Sequence, residues 1–105
     1  MLRVIIAGGR DFNDYALLSR VVSKFLAEQS DTNIEIVSGG AQGADALGER
    51  YAQENHLPVT RYPANWQQYG KAAGHIRNKQ MADHANALVA FWVTKRKPVI
   101  AQSNR

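Results

Sequence analysis

Short, nearly unbroken apolar runs alternate along this chain with segments in which apolar residues recur every three or four positions. The first kind reads as buried strand and the second as amphipathic helix, so the alternation predicts βα units around a parallel sheet. Leu2-Arg3-Val4-Ile5-Ile6-Ala7 is a first strand, ended by Gly8-Gly9. Asp14 is placed to cap a helix from Tyr15 to Gln29, with Leu18, Val21, Val22, Phe25 and Leu26 on its buried stripe. Ile34-Glu35-Ile36-Val37 is a second strand, followed by a helix from Gly43 to Asn55 with Ala44, Leu47, Gly48 and Tyr51 facing inward. Val59 to Tyr62 reads as a third strand and Pro63 to Gly70 as an irregular loop punctuated by its proline and glycine. A helix then runs from Ala72 to His84, and Ala87-Leu88-Val89-Ala90-Phe91-Trp92 is the most apolar strand. In the basic tail, Val99-Ile100-Ala101 reads as a short edge strand or a docked extended segment.

Composition changes this picture little. The chain has 105 residues, a single domain's worth, with ordinary globular values of 45% hydrophobic and 21% charged residues. It has no cysteine, which excludes disulfides and thiolate chemistry, and His56, His75 and His84 lack metal-ligand spacing and read as surface residues. No apolar run is long enough to span a membrane. Met1 leads directly into a strand, which predicts no signal peptide and a cytoplasmic location.

Charge is more informative. The net charge of +4 divides into −2 over residues 1–50 and +6 over residues 51–105. The second half is therefore suited to meet an anionic ligand, although surface lysines also serve solubility.

In a parallel α/β sheet the loops after the strands open at the carboxyl edge, where ligands bind. The unusual residues fall in those loops. Gly8-Gly9-Arg10-Asp11-Phe12 follows the first strand and Ser38-Gly39-Gly40-Ala41-Gln42-Gly43-Ala44-Asp45 the second. Glycines between a strand and a helix let backbone N–H groups approach a phosphate, or simply make a tight turn. No Gly-Lys-Ser/Thr follows, and Ser38 stands at the first glycine position, so neither a Walker A motif nor a full GxGxxG fingerprint is present. Asp45 lies in the first turn of its helix; it suits a dipole-stabilising carboxylate, a partner for a ribose hydroxyl or a catalytic acid/base. Glu49, one turn on, is expected to face solvent. Arg77 opens a core-facing helix face, where it could clamp a phosphate, snorkel, or pair with Asp11 or Asp45. Trp66 and Tyr69 either stack on a base or cover the sheet edge. Trp92 belongs to the core or to an interface.

Taken together in this order, the two glycine loops, the Pro63…Trp66…Tyr69-Gly70 segment and Gly74-His75-Ile76-Arg77-Asn78 resemble the YspA/YpsA-related branch of the SLOG superfamily, the DUF2493 group. That superfamily also holds the DNA-processing protein DprA/Smf and the Lonely Guy phosphoribohydrolases. The resemblance covers residues 1–92. It implies a Rossmann-like α/β fold of four to five strands in order 3-2-1-4, with helices on both faces. It also implies a pocket for a nucleotide or nucleotide-derived ligand. By motif position Gly8, Gly9, Arg10 and Asp11 line one side and Ser38, Gly39, Gly40, Gly43 and Asp45 the other. Arg77 and Asn78 close it, with Trp66 nearby. Relatives continue after the Phe-Trp strand with an Asp-Gly and Gly-Thr loop, a helix and a strand. Here residues 93–105 form a basic tail instead, in which Lys95, Arg96 and Lys97 could supply positive charge.

The expected function is a sensor or sequestering module for such a ligand. An alternative is N-glycosidic cleavage of a nucleoside monophosphate with Asp45 or Glu49 as the carboxylate, although the Pro-Gly-Gly-x-Gly-Thr-x-x-Glu motif of the Lonely Guy enzymes is missing. A third reading is single-stranded nucleic-acid binding, as in DprA. No cofactor is expected, although Mg²⁺ carried by a phosphate ligand is compatible. An apolar sheet edge near Trp92 predicts a homo-oligomer.

Overall fold

The first strand is apolar on both of its sides, and both sides are covered, which places it at the centre of the sheet. The computed structural model describes residues 1–94 and 97–104. Strand β1 (Leu2–Gly8) is flanked by β2 (Ile34–Ser38) and β4 (Ala87–Thr94), both parallel to it. Strand β3 (Val59–Arg61) pairs parallel with β2 on one side, and β5 (Lys97–Asn104) pairs antiparallel with β4 on the other. The order is β3-β2-β1-β4-β5, a Rossmann-like α/β sheet.

Register sorts the side chains. Val4 and Ile6 of β1, Ile36 of β2 and Ala87, Val89 and Phe91 of β4 face one way. They pack on helix α1 (Tyr15–Ala27) through Leu18, Val22 and Phe25, and on helix α2 (Ala44–Glu54) through Ala44, Tyr51 and Ala52. Asp14 caps α1 as expected, its carboxylate accepting from the Leu17 N–H at 3.0 Å. Ile5 and Val37 face the other way, onto Met81 and Ala85 at the end of helix α4 (Ala73–His84). The chain thus winds to one face of the sheet after β1 and to the other before β4. This leaves a crevice at the carboxyl edge.

Two segments are more regular than their sequence suggests. The loop expected over Pro63 to Gly70 contains a one-turn helix α3 (Trp66–Tyr69) and leads into a 3₁₀ turn (Gly70–Ala72). Asn65 nucleates it, since its Oδ1 accepts from the Gln68 N–H at 3.0 Å. The fourth strand does not stop at Trp92; it runs to Thr94, and the tail returns beside it for eight residues. The pairing from Ala87↔Asn104 to Thr94↔Lys97 carries β5, and Pro98 is tolerated because β5 is an edge strand. Residue 92, taken as the end of the Rossmann-like unit, therefore falls inside β4. Lys95 and Arg96 lie outside the described residues.

Candidate functional site

The turn after β1 is held at both ends. The Gly9 N–H donates to the Phe91 carbonyl at 2.9 Å, and Phe12 is buried against Phe91, with ring centroids 5.3 Å apart. Arg10 and Asp11, between these anchors, are exposed. The turn after β2 is held from below. Ser38 is fully buried; its Oγ accepts from the Gly40 N–H at 3.0 Å and donates to Glu49 Oε2 at 2.6 Å.

The two turns then lock together. The Gly9 carbonyl accepts from the Ala44 N–H, the first of α2, at 3.2 Å, and from the Phe12 N–H at 3.3 Å. Gly43 makes this approach possible, with a φ of +78° and a position where a Cβ would lie 2.2 Å from the Gly9 oxygen. Only glycine adopts that backbone without strain.

Gly39 is the point where three elements meet. A Cβ there would lie 2.7 Å from Arg77 Nη1 and 2.8 Å from Asp45 Oδ2. Arg77, from the first turns of α4, donates through Nη1 to the Gly39 carbonyl at 2.6 Å and through Nε to Asn78 Oδ1 at 2.9 Å. Nη2 makes no hydrogen bond among the described residues. Of the alternatives for Arg77, neither an ion pair with Asp11 nor one with Asp45 forms; the guanidinium braces the turn through a backbone carbonyl.

Asp45 is only 6% exposed, and its Oδ2 accepts from the Ala41 N–H at 3.3 Å. Burial pushes its carboxyl above the ordinary aspartate range; the Ala41 and Gly39 N–H groups and the Arg77 charge oppose this, while Glu49 adds to it. The carboxylate thus ties down the Ala41 N–H from inside the turn. The N–H groups of Gln42 and Gly43 make no hydrogen bond among the described residues, and Gln42 is exposed.

Glu49 does not face solvent as its helical position suggests. It takes the Ser38 hydroxyl on one side and the Arg61 guanidinium on the other, with Arg61 Nε donating to Oε2 at 3.1 Å and Nη2 paired with Oε1. Although burial alone would raise its pKa, these two partners hold the carboxyl below the ordinary glutamate range. Arg61 is a residue sequence reasoning missed. Its one signal is its place as the last residue of β3, at the same sheet edge. His84 is likewise not a free surface residue: Nε2 lies 2.9 Å from Glu35 Oε1, on α4's side of the sheet.

The aromatic segment stands apart. Trp66 is 60% and Tyr69 40% exposed, so neither covers the sheet edge. Trp66 leans over Gly74 and lines a hollow with Pro63, Asn65 and Gln67. A second hollow of about 270 Å³, between α3 and α4, is lined by Gln68, Tyr69, Gln80 and Arg77 among others. Arg77 is the link from that hollow to the glycine turn. Among the described residues no three His, Asp or Glu side chains are grouped so as to hold a metal ion, and no helix is long and apolar enough to cross a membrane.

Residues 2–69, from β1 through α3, match the family described as the YspA, cpYpsA-related SLOG family. The chain is also 34% identical to the Gene 61 protein of Mycobacterium phage D29 over 97 residues, which cover 87% of this chain and 77% of that protein. No solved structure gives a significant match.

Proposed function

This chain belongs to the YspA, cpYpsA-related SLOG family, and from that premise we propose that it binds a nucleotide or nucleotide-derived ligand at the carboxyl edge of its sheet, as a sensor or sequestering module. The observation that carries the reading is the Arg77 guanidinium, fixed on the Gly39 carbonyl at 2.6 Å with Nη2 unspent. A phosphate bound there meets that free edge and the unpaired N–H groups of Gln42 and Gly43, near the positive end of α2. Gly8, Gly9 and Gly40 shape the turns, Asn78 orients the arginine, and Ser38 and Asp45 keep the second turn in its conformation. Arg10 and Asp11 are free to close over a ligand from the first turn. In this reading Asp45 preorganises the site, because its carboxylate is already engaged with the turn's own backbone.

The test is a thermal-shift screen with AMP, ATP, NAD, ADP-ribose, cyclic dinucleotides and inorganic phosphate. A ligand at a hundredfold its Kd should add about 2.7 kcal/mol of stability. A shift that is lost in Arg77→Ala supports the site. No shift with any of these ligands refutes it, and binding of an oligonucleotide that weakens steeply with salt would put single-stranded nucleic acid in its place.

A further inference from the structure

We propose that the hollow between α3 and α4 takes the base of the bound nucleotide, and that Gln80 selects an adenine-type edge over a guanine-type one. This rests on the nucleotide-binding reading above. Pockets that enclose a whole drug-sized ligand run to roughly 300–1,000 Å³. At about 270 Å³ this hollow suits one ring system, with the rest of the ligand outside.

Its walls belong to two helices. Ile76, Arg77 and Gln80 lie on one side of α4, and Gln68 and Tyr69 stand opposite on α3, with Pro63 beside them. Pro63 and Ile76 offer apolar contact to a flat ring. The polar groups are not all available. Asn65 is spent on α3 itself: Oδ1 takes the Gln68 N–H and Nδ2 donates to Gln68 Oε1 at 3.1 Å. Gln68 Nε2, the Tyr69 hydroxyl and the whole Gln80 amide make no hydrogen bond among the described residues.

These unspent groups are uncharged, and no carboxylate is found among the residues that line the hollow. A carboxamide carries a donor and an acceptor side by side, which is the pairing that an adenine edge offers to Asn or Gln. The guanine edge that carries N1–H and the exocyclic amine presents two donors, and two donors call for a carboxylate. The single cation of the lining, Arg77, reaches from the same α4 wall to the Gly39 carbonyl of the glycine turn. In this proposal a 5′-nucleotide keeps its phosphate on Arg77 and its base in the hollow.

The experiment is calorimetric titration of the full chain with AMP, GMP and ribose 5-phosphate, in the wild type, Gln80→Leu and Gln80→Glu. Gln80 is exposed, so both variants should fold, and their thermal unfolding verifies it. The wild type should prefer AMP to GMP by at least about fivefold, the lower end of what a bidentate base contact provides. In Gln80→Leu the preference for AMP over ribose 5-phosphate should fall by a similar factor. In Gln80→Glu the order of AMP and GMP should invert. Equal affinity for AMP and GMP in the wild type, or AMP binding unchanged in Gln80→Leu, overturns the base subsite. In that case phosphate-dependent binding that still fails in Arg77→Ala leaves the nucleotide-binding reading intact. If none of the three probes binds, the base subsite falls, and the nucleotide-binding reading stands or falls with the wider ligand screen above.

Discussion

Gly43 and Gly70 form a matched pair that isolates the contact between the two glycine turns. Their backbones are nearly the same, with φ and ψ of +78° and −127° at Gly43 and +55° and −132° at Gly70. Alanine at either position therefore incurs a similar conformational strain, about 1–3 kcal/mol. The surroundings differ. Around Gly70 a Cβ would meet nothing within 4 Å, whereas at Gly43 it would lie 2.2 Å from the Gly9 oxygen and 2.6 Å from the Arg10 carbonyl. Ordinary contact begins near 3.4 Å, so the first turn would have to retreat by more than 1 Å. That retreat breaks the hydrogen bond that the Gly9 carbonyl accepts from Ala44, the one that joins the two turns. Such a bond is worth about 1 kcal/mol. Gly43→Ala should thus be less stable than Gly70→Ala by about 1 kcal/mol, or roughly 4–8 °C in Tm for a domain of this size. Thermal unfolding of the two variants by circular dichroism measures the difference directly. Equal melting temperatures would refute the locked turns, and with them the preorganised site.

Other expectations follow from the same geometry. Glu49→Ala leaves the buried Ser38 hydroxyl without its acceptor and should cost about 1–3 kcal/mol, whereas Arg61→Ala, removing a largely exposed ion-pair partner, should cost under about 1 kcal/mol; urea unfolding ranks them. Asp45 and Glu49 should give opposite pH slopes. The raised Asp45 value means that the native state holds its proton more tightly, so its contribution is greatest below the ordinary aspartate pKa of 3.8 and falls as pH rises through the raised value. The lowered Glu49 value contributes fully above the ordinary glutamate pKa of 4.5 and is lost as pH falls through the lowered one. Urea midpoints across the acid range should therefore lose the falling component in Asp45→Asn and the rising one in Glu49→Gln; unchanged slopes would contradict these environments. Ala90, Trp92 and Val99 share α4's side of the sheet but belong to neither buried cluster, and we propose that a second copy of the chain covers them. Light scattering at micromolar concentration should show a dimer that Trp92→Glu dissociates, and a monomeric wild type would sink the idea.

The elements easiest to read in the sequence are those whose own side chains make them. β1 is apolar on both faces, and α1 carries Leu18, Val22 and Phe25 at helical spacing behind an Asp14 cap, so local pattern and tertiary burial agree. β5 is different. Lys97-Pro98-Val99-Ile100-Ala101-Gln102-Ser103-Asn104 has only a short apolar centre, and its eight-residue length comes from pairing with β4, a partner the segment itself does not reveal. α3 was hidden for a related reason. One turn is too short to show a period, and its stability rests on the Asn65 cap and on its neighbours.

The site shows the same division. That the glycine turns, Asp45 and Arg77 converge was legible, because parallel topology sends every loop after a strand to one edge. What each side chain does there was not, because it depends on partners far along the chain: the Gly39 carbonyl for Arg77, Ser38 and Arg61 for Glu49. α4 brings both lessons together. Only Ala73 and Met81 of its twelve residues are buried, against three large apolar side chains of α1, and its side toward the α3 hollow sets Arg77 and Gln80 beside Ala73 and Ile76. Packing alone gives no reason for an arginine there whose guanidinium reaches the Gly39 carbonyl. Departures from local consistency of this kind collect where a protein meets a ligand. The weak amphipathicity of α4 is thus what the proposed binding role of Arg77 asks of this helix.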